Sequence, residues 1–312
     1  MLTFILIGLA GFAAQLVDGG LGMGFGITST TILIALAGLG PAQAVAAVNA
    51  AQLGTTFAAG VSHWRFGNVN WKAALKLGIP GMVLSFIGAT VLSNLSVEAA
   101  RPLTGIILMG LGIHLVMRFS RGRAPKKTTT KEPSGGLLFG LGSVGGFLSS
   151  TGGGGWGPVT MSTLLTMGRS EPRRIVGTVS ASEFLVSIGG TAGFVVSMWD
   201  QLVENAMIIL ALLIGGVVAA PIAAFAVSRL NPYLLGGLVG TMLVVLNIPA
   251  VFGPLDLSET VLWIIRAAVL IVGFTVTIVG ARRAREKAHE VEIVEAVDPD
   301  RERATESVHN SV

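Results

Sequence analysis

The chain has 312 residues, of which 52% are hydrophobic and only 12% charged, and its mean hydropathy is +0.75. A soluble domain carries roughly twice that charged fraction, so the composition excludes an ordinary water-soluble fold and points to an integral membrane protein. The net charge of +4 is no nucleic-acid footprint, because the basic residues sit in polar stretches flanking apolar segments, and the absence of cysteine excludes disulfides and thiol chemistry.

Long apolar segments of helix-forming residues favour an α-helical bundle over a barrel, whose strands would alternate. Leu2–Val17 lacks a basic leader region and a clear cleavage site, and reads as a retained segment rather than a signal peptide. It is short for a crossing, which needs about 20 residues, and so is Ile27–Leu39. Between them lies Asp18-Gly-Gly-Leu-Gly-Met-Gly-Phe-Gly26, a glycine-rich break that a helix cannot cross cheaply. Ala42–Val61, Trp71–Leu92 and Pro102–Met117 then read as full helices, the second bent near Pro80, and Arg118–Pro133 as a basic linker. The plan then recurs. Gly135–Leu148 and Val159–Met167 flank a second break, Ser149 to Pro158, in which Pro158 can open the next helix. Pro172–Met198, Leu202–Val227 and Pro232–Ala250 follow as full helices, Leu257–Gly280 is an added one, and Arg282–Val312 reads as a solvated, disordered tail.

The two halves align at a constant offset of 131 residues: Gly22, Gly24 and Gly26 fall on Gly153, Gly155 and Gly157, Phe25 on Trp156, Pro41 on Pro172 and Val45 on Val176. A proline and several aliphatic residues in one register point to an internal duplication. The expected fold is therefore an all-α polytopic membrane protein of two repeats, each a glycine-broken short hairpin plus three long helices, with one extra C-terminal helix. Its divisions are a first repeat over 1–117, a linker over 118–134, a second repeat over 135–250, the extra helix over 251–281 and the tail over 282–312. Basic residues cluster in alternate loops (His63–Lys76, Arg118–Lys131, Arg169–Arg174, Arg229, Arg282–Lys287), and Glu98, Asp200, Glu204, Asp256 and Glu259 occupy the others. By the positive-inside rule the C-terminus is cytoplasmic and the N-terminus outside, in the cell (inner) membrane, and the two repeats run with opposite topology. The rule leaves open whether the short pairs are re-entrant or spanning.

Inverted repeats with interrupted helices at matching positions are a pattern of secondary transporters, which bind between the repeats. Each break ends at a helix N-terminus, where free N–H groups and the positive end of the dipole favour a small anion without a fixed cation. The candidate binding set is Gly22, Gly24, Phe25 and Gly26 with Thr151, Gly153, Gly154, Gly155, Trp156 and Gly157; the competing reading is that these glycines only let helices pack closely. Asp18 is a structural cap candidate. Asn49, Gln52 and Thr56 share one helix face, and Ser180, Glu183 and Ser187 occupy the matching positions. Asn49, Gln52 and Ser180 join the binding set, against the alternative of interhelical hydrogen bonding. Glu183, an acid well inside a long helix, is the proton-coupling candidate, because a bound anion and a proton on that carboxylate favour each other. No lysine of a phosphate loop follows the glycines, no metal-ligand spacing occurs and no Ser–His–Asp set is evident, so no catalytic residue, metal or cofactor is expected.

Residues 18–26 with Gly40-Pro41 downstream, and Ser-Thr-Gly-Gly-Gly-Gly-Trp-Gly-Pro (150–158) with Pro172 and Gly177 downstream, resemble the TauE/SafE family of membrane transporters, the sulfite exporter family. The resemblance spans about residues 2–281, and Leu21 and Met23 depart from the family's commoner Gly-Gly-Gly form. It implies that the protein moves sulfite or a small organosulfonate such as sulfoacetate across the cytoplasmic membrane, as an exporter. The partners expected are that sulfur anion and the lipid bilayer, with no nucleic acid; a homo-oligomer is compatible with the sequence. The alternative class is a membrane enzyme or assembly factor that uses the same polar faces without transport.

Overall fold

A computed structural model describes residues 2–121, 133–167, 170–227, 231–255 and 257–297. Among them the secondary structure is entirely helical: α1 (Leu2–Leu21), α2 (Phe25–Ala35), α3 (Pro41–Arg65), α4 (Trp71–Ser93), α5 (Val97–Ser120), α6 (Gly135–Gly152), a π-helical turn (Gly157–Met161) leading into α7 (Ser162–Met167), α8 (Pro172–Glu204), α9 (Ala206–Val227), α10 (Pro232–Phe252), a short 3₁₀ turn (Gly253–Leu255) and α11 (Glu259–Val297). Among the described residues six helices are long and apolar enough to cross a membrane: α3, α4, α5, α8, the α10 stretch and the first part of α11. The protein is thus an all-α, multi-pass membrane protein.

The helix starts follow local chemistry. Side-chain oxygens of Asn70, Ser96, Ser134 and Asn231 accept from backbone N–H groups in the first turns of α4, α5, α6 and α10, at 3.2, 3.4, 3.3 and 2.9 Å. Pro41 and Pro172 open α3 and α8, where a missing N–H is harmless. Several expected boundaries move. The Ser96 cap starts α5 at Val97, so Pro102 lies inside the helix rather than at its start. Helix α8 passes through one non-helical residue, Met198, and resumes to Glu204, so Leu202 belongs to α8 and not to the next helix. Helix α11 continues beyond Gly280 to Val297, into the stretch expected as a disordered tail; residues 298–312 and most of the linker lie outside the described residues. The charged residues after Ala281 are good helix formers, so the helix has no local reason to stop there.

The principal helix pairings are α1 with α9, α4 with α6, α4 with α8, α3 with α8 and α5 with α10; α11 leans on α10 and α5. At the 131-residue offset α1 falls on α6 and α4 on α9, so the α1–α9 and α6–α4 pairings match at that offset. Both short hairpins return to the side they came from. The first turns of α4 and α8, the start of α6 and the end of α7 converge on a cavity of about 80 Å³, lined by Lys72, Lys76, Pro133, Leu164 and Arg174 among others. Ile7 early in α1, Leu33 late in α2, Ala44 early in α3 and Ala211 early in α9 likewise meet in one buried cluster. Each hairpin therefore begins and ends on the same side of the bundle.

Candidate functional site

The two breaks are shorter than the glycine runs suggest. Helix α1 runs through Asp18 to Leu21, and α6 through Ser149 to Gly152, leaving residues 22–24 and 153–155 outside regular helix. Gly153 ends α6 in the left-handed region at φ 77°, a conformation glycine adopts without steric cost. Asp18 does not open the first break; it sits in the last turn of α1, where its Oδ1 accepts from the Phe25 N–H at the start of α2, 3.3 Å away, and Gln15 Nε2 donates to its Oδ2 at 3.5 Å.

The breaks lie directly against each other at the centre of the bundle. A Cβ placed on Gly26 would sit 2.4 Å from the Gly153 carbonyl oxygen and 2.9 Å from Gly154 Cα. One placed on Gly157 would sit 2.5 Å from Met23 Cβ. The Thr30 hydroxyl donates to the Gly153 carbonyl at 3.2 Å. The sequence suggested two helix ends facing each other across a gap; the structure fills that space with the backbone of the two breaks themselves.

The polar faces of α3 and α8 meet beside this contact. Gln52 Nε2 donates to Glu183 Oε1 at 3.3 Å, and the two residues are 131 positions apart. They thus occupy matching positions at that offset and touch each other. Asp18 is near enough for its carboxylate and that of Glu183 to interact electrostatically. Thr56 bonds back to the Gln52 carbonyl at 2.5 Å. One turn along α3, Asn49 donates to Val45 O at 2.9 Å and accepts from the Ser150 hydroxyl at 3.4 Å. Ser150 Oγ lies 2.5 Å from Ser85 Oγ, and Ser85 bonds the Val186 carbonyl at 2.9 Å. All three residues are buried, and each polar contact is worth roughly 1 kcal/mol net but more if broken and left unpaired.

Other expected members stand elsewhere. The Thr151 hydroxyl bonds back to the Phe147 carbonyl of its own helix at 2.7 Å, so its proton is committed there. Trp156 is fully buried and donates its Nε1–H to Val179 O at 3.2 Å, with Gly81 and Gly145 against its ring. Phe25 is buried among Ile7, Ala14 and Leu212. Gly155 packs on Leu148 of its own hairpin, Gly22 and Gly24 hold positive-φ turns, and Ser180 is half-buried on the α8 face. The sequence reading missed Ser85, Ser150 and Thr30. Ser85 had one signal, a lone hydroxyl between Leu84 and Phe86 in mid-helix; Thr30 and Ser150 had none, because their partners are distant in sequence. No group of acidic, histidine or cysteine side chains among the described residues is arranged to hold a metal ion.

Residues 7–250 match the family model described as sulfite exporter TauE/SafE. Among curated proteins, the chain is 41% identical to the probable membrane transporter protein YtnM of Bacillus subtilis over 79% of this chain and 82% of that one. It is 27% identical to a probable membrane transporter protein of Haemophilus influenzae, over 64% of this chain and 77% of that one. A probable membrane transporter protein of Methanocaldococcus jannaschii is also 27% identical, over 46% of this chain and 52% of that one. No solved structure matches.

Proposed function

Because this chain belongs to the sulfite exporter TauE/SafE family of membrane transporters, we propose that it is a secondary transporter of a small sulfur oxyanion, sulfite or an organosulfonate such as sulfoacetate, working as an exporter in the cytoplasmic membrane with its C-terminus inside. The observation that carries the reading is the contact between the two breaks, at Gly26 and Gly153, beside buried polar groups of both halves. In lipid, irregular backbone is tolerated only where protein or a water-filled path surrounds it, so two breaks placed together mark the route that a solute takes. When the breaks part, their N–H groups and the Asn49, Ser85 and Ser150 side chains become donors for the anion's oxygens.

The acids beside the breaks give the transport a proton. Asp18 and Glu183 both repel an anion while ionised, so anion and proton favour binding together, and proton-coupled movement follows from the same contacts. Gln52 is the neutral counterpart that keeps Glu183 hydrogen-bonded in either protonation state, since its amide both donates and accepts.

The test is flux in proteoliposomes containing the purified chain, with labelled sulfite, sulfate, thiosulfate and sulfoacetate. Saturable movement of sulfite or sulfoacetate above that of sulfate is expected. If none of the four moves, the polar centre serves some other membrane function.

A further inference from the structure

A cation that the sequence places among the linker charges reaches the junction of the breaks. Arg118, in the last turn of α5, donates through Nη1 to the hydroxyl of Ser162, the first residue of α7, and lies 3.6 Å from Met23 Sδ in the first break. Ser162 Oγ itself is 3.7 Å from that sulfur. One turn earlier on α5, His114 Nε2 stands 3.5 Å from the same hydroxyl. The guanidinium also lies 5.4 Å from the centre of the Phe119 ring.

These are weak partners for a half-buried guanidinium. Among the described residues the one ion pair is Arg173–Glu171, so Arg118 has no carboxylate within pairing distance there. A hydroxyl, a thioether, a ring face and the neighbouring Tyr233 phenol offer the guanidinium no charged acceptor among the described residues. The planar fork of those donors matches two oxygens of an oxyanion, which an ammonium does not.

The equivalent place in the other half is neutral. Ser162 and Thr31 are 131 positions apart, α10 corresponds to α5, and there Asn247 Nδ2 donates to Thr31 Oγ1 at 3.4 Å. The position that corresponds to Arg118 is Pro249. The junction is therefore cationic at one end of the bundle and uncharged at the other.

We propose that Arg118, with the Ser162 hydroxyl and His114, forms an oxyanion-binding subsite at the end of the bundle where α5 finishes, on the path to the contact between the two breaks. The inference rests on the transport reading above and adds the fixed cation that the sequence left out of it. An oxyanion arriving there takes the guanidinium from Ser162 and Met23, so its binding also loosens a contact that ties α5 to the first break and to the start of α7. The anion thereby meets its strongest attraction at one mouth only, which gives a duplicated structure two unlike ends.

The test pairs binding with flux. Thermal stabilisation of the detergent-solubilised full-length chain by sulfite is measured for the native protein, Arg118→Gln, Arg118→Lys and the control Arg101→Gln, whose exposed cation sits at the opposite end of α5. The sulfite concentration for half-maximal stabilisation should rise about ten-fold or more in Arg118→Gln, less in Arg118→Lys, which keeps the charge without the fork, and not in Arg101→Gln. In proteoliposomes of known orientation, the rise in half-saturating sulfite should appear from the side where α5 ends and not from the other. Unchanged half-maximal concentrations in both Arg118 variants would overturn the subsite, as would a loss of maximal rate alone, which marks a structural latch. If the native chain is stabilised by sulfite through Arg118 but carries none of the four anions, the transport reading fails and the subsite stands.

Discussion

At the scale of single residues, the Gln52–Glu183 pair carries the most chemistry. The two side chains differ only in charge and meet at 3.3 Å, with a second carboxylate, Asp18, acting on Glu183. A proton on Glu183 removes one repulsion on an arriving anion, so anion binding by the native protein should strengthen as pH falls. Glu183→Gln imitates the protonated form and nearly keeps the shape. It should bind sulfite about ten-fold better than the native protein at alkaline pH, and its flux should lose most of its pH dependence. A pH profile of flux identical in variant and native protein would reduce Glu183 to a structural partner of Gln52. The pairing itself was half-legible: the common offset put both residues on matching faces, but nothing in the chain says that the faces meet. Arg118 was hidden for the opposite reason, because its neighbours in sequence are loop cations while its neighbours in space are Ser162 and Met23.

At the scale of elements, the hairpins depend on backbone packing rather than on side-chain fit. A methyl at residue 26 would meet the Gly153 carbonyl oxygen at 2.4 Å, and one at residue 155 would meet Leu148 Cβ at 2.4 Å, in both cases atoms that cannot swing aside. Gly26→Ala and Gly155→Val should therefore insert but melt earlier, with a cost of about 1–3 kcal/mol, and should lose flux. Gly110→Ala and Gly140→Ala, where a Cβ meets nothing within 4 Å, should behave as the native chain does. Full flux in Gly26→Ala would show that the breaks need not touch. The existence and order of the helices were readable because caps, prolines and apolar length are local signals. The length of the breaks was not. Glycines at the end of α6 stay helical where neighbours hold them, and that support comes from Ile107 of α5 beside Gly152 and the Gly81 backbone beside Gly146, both remote in sequence.

At the scale of the whole molecule, the folding-back of each hairpin dictates which residues share a side. With no native cysteine in the chain, single cysteines report this directly. Gly136→Cys at the start of α6 and Glu171→Cys just before α8 should label from the same face of the membrane, and Glu98→Cys at the start of α5 from the opposite face. On the charge pattern, the first two are the cytoplasmic pair. Labelling of positions 136 and 171 from opposite faces would mean that the chain between them crosses the membrane an odd number of times, and would overturn the hairpin.

The placement of the aromatic residues has an optical consequence. Trp64, Trp71, Trp199 and Trp263 are between 50% and 62% exposed, whereas Trp156 is 0% exposed, immediately after the second break. Replacing the four outer indoles by phenylalanine would leave one indole, in a dry setting and anchored to the Val179 carbonyl, which excitation at the red edge of its absorption reads apart from Tyr233. Its emission should lie to the blue in the present arrangement, and a red shift on adding sulfite would report water entering beside the second break, a direct spectroscopic check of the proposed parting.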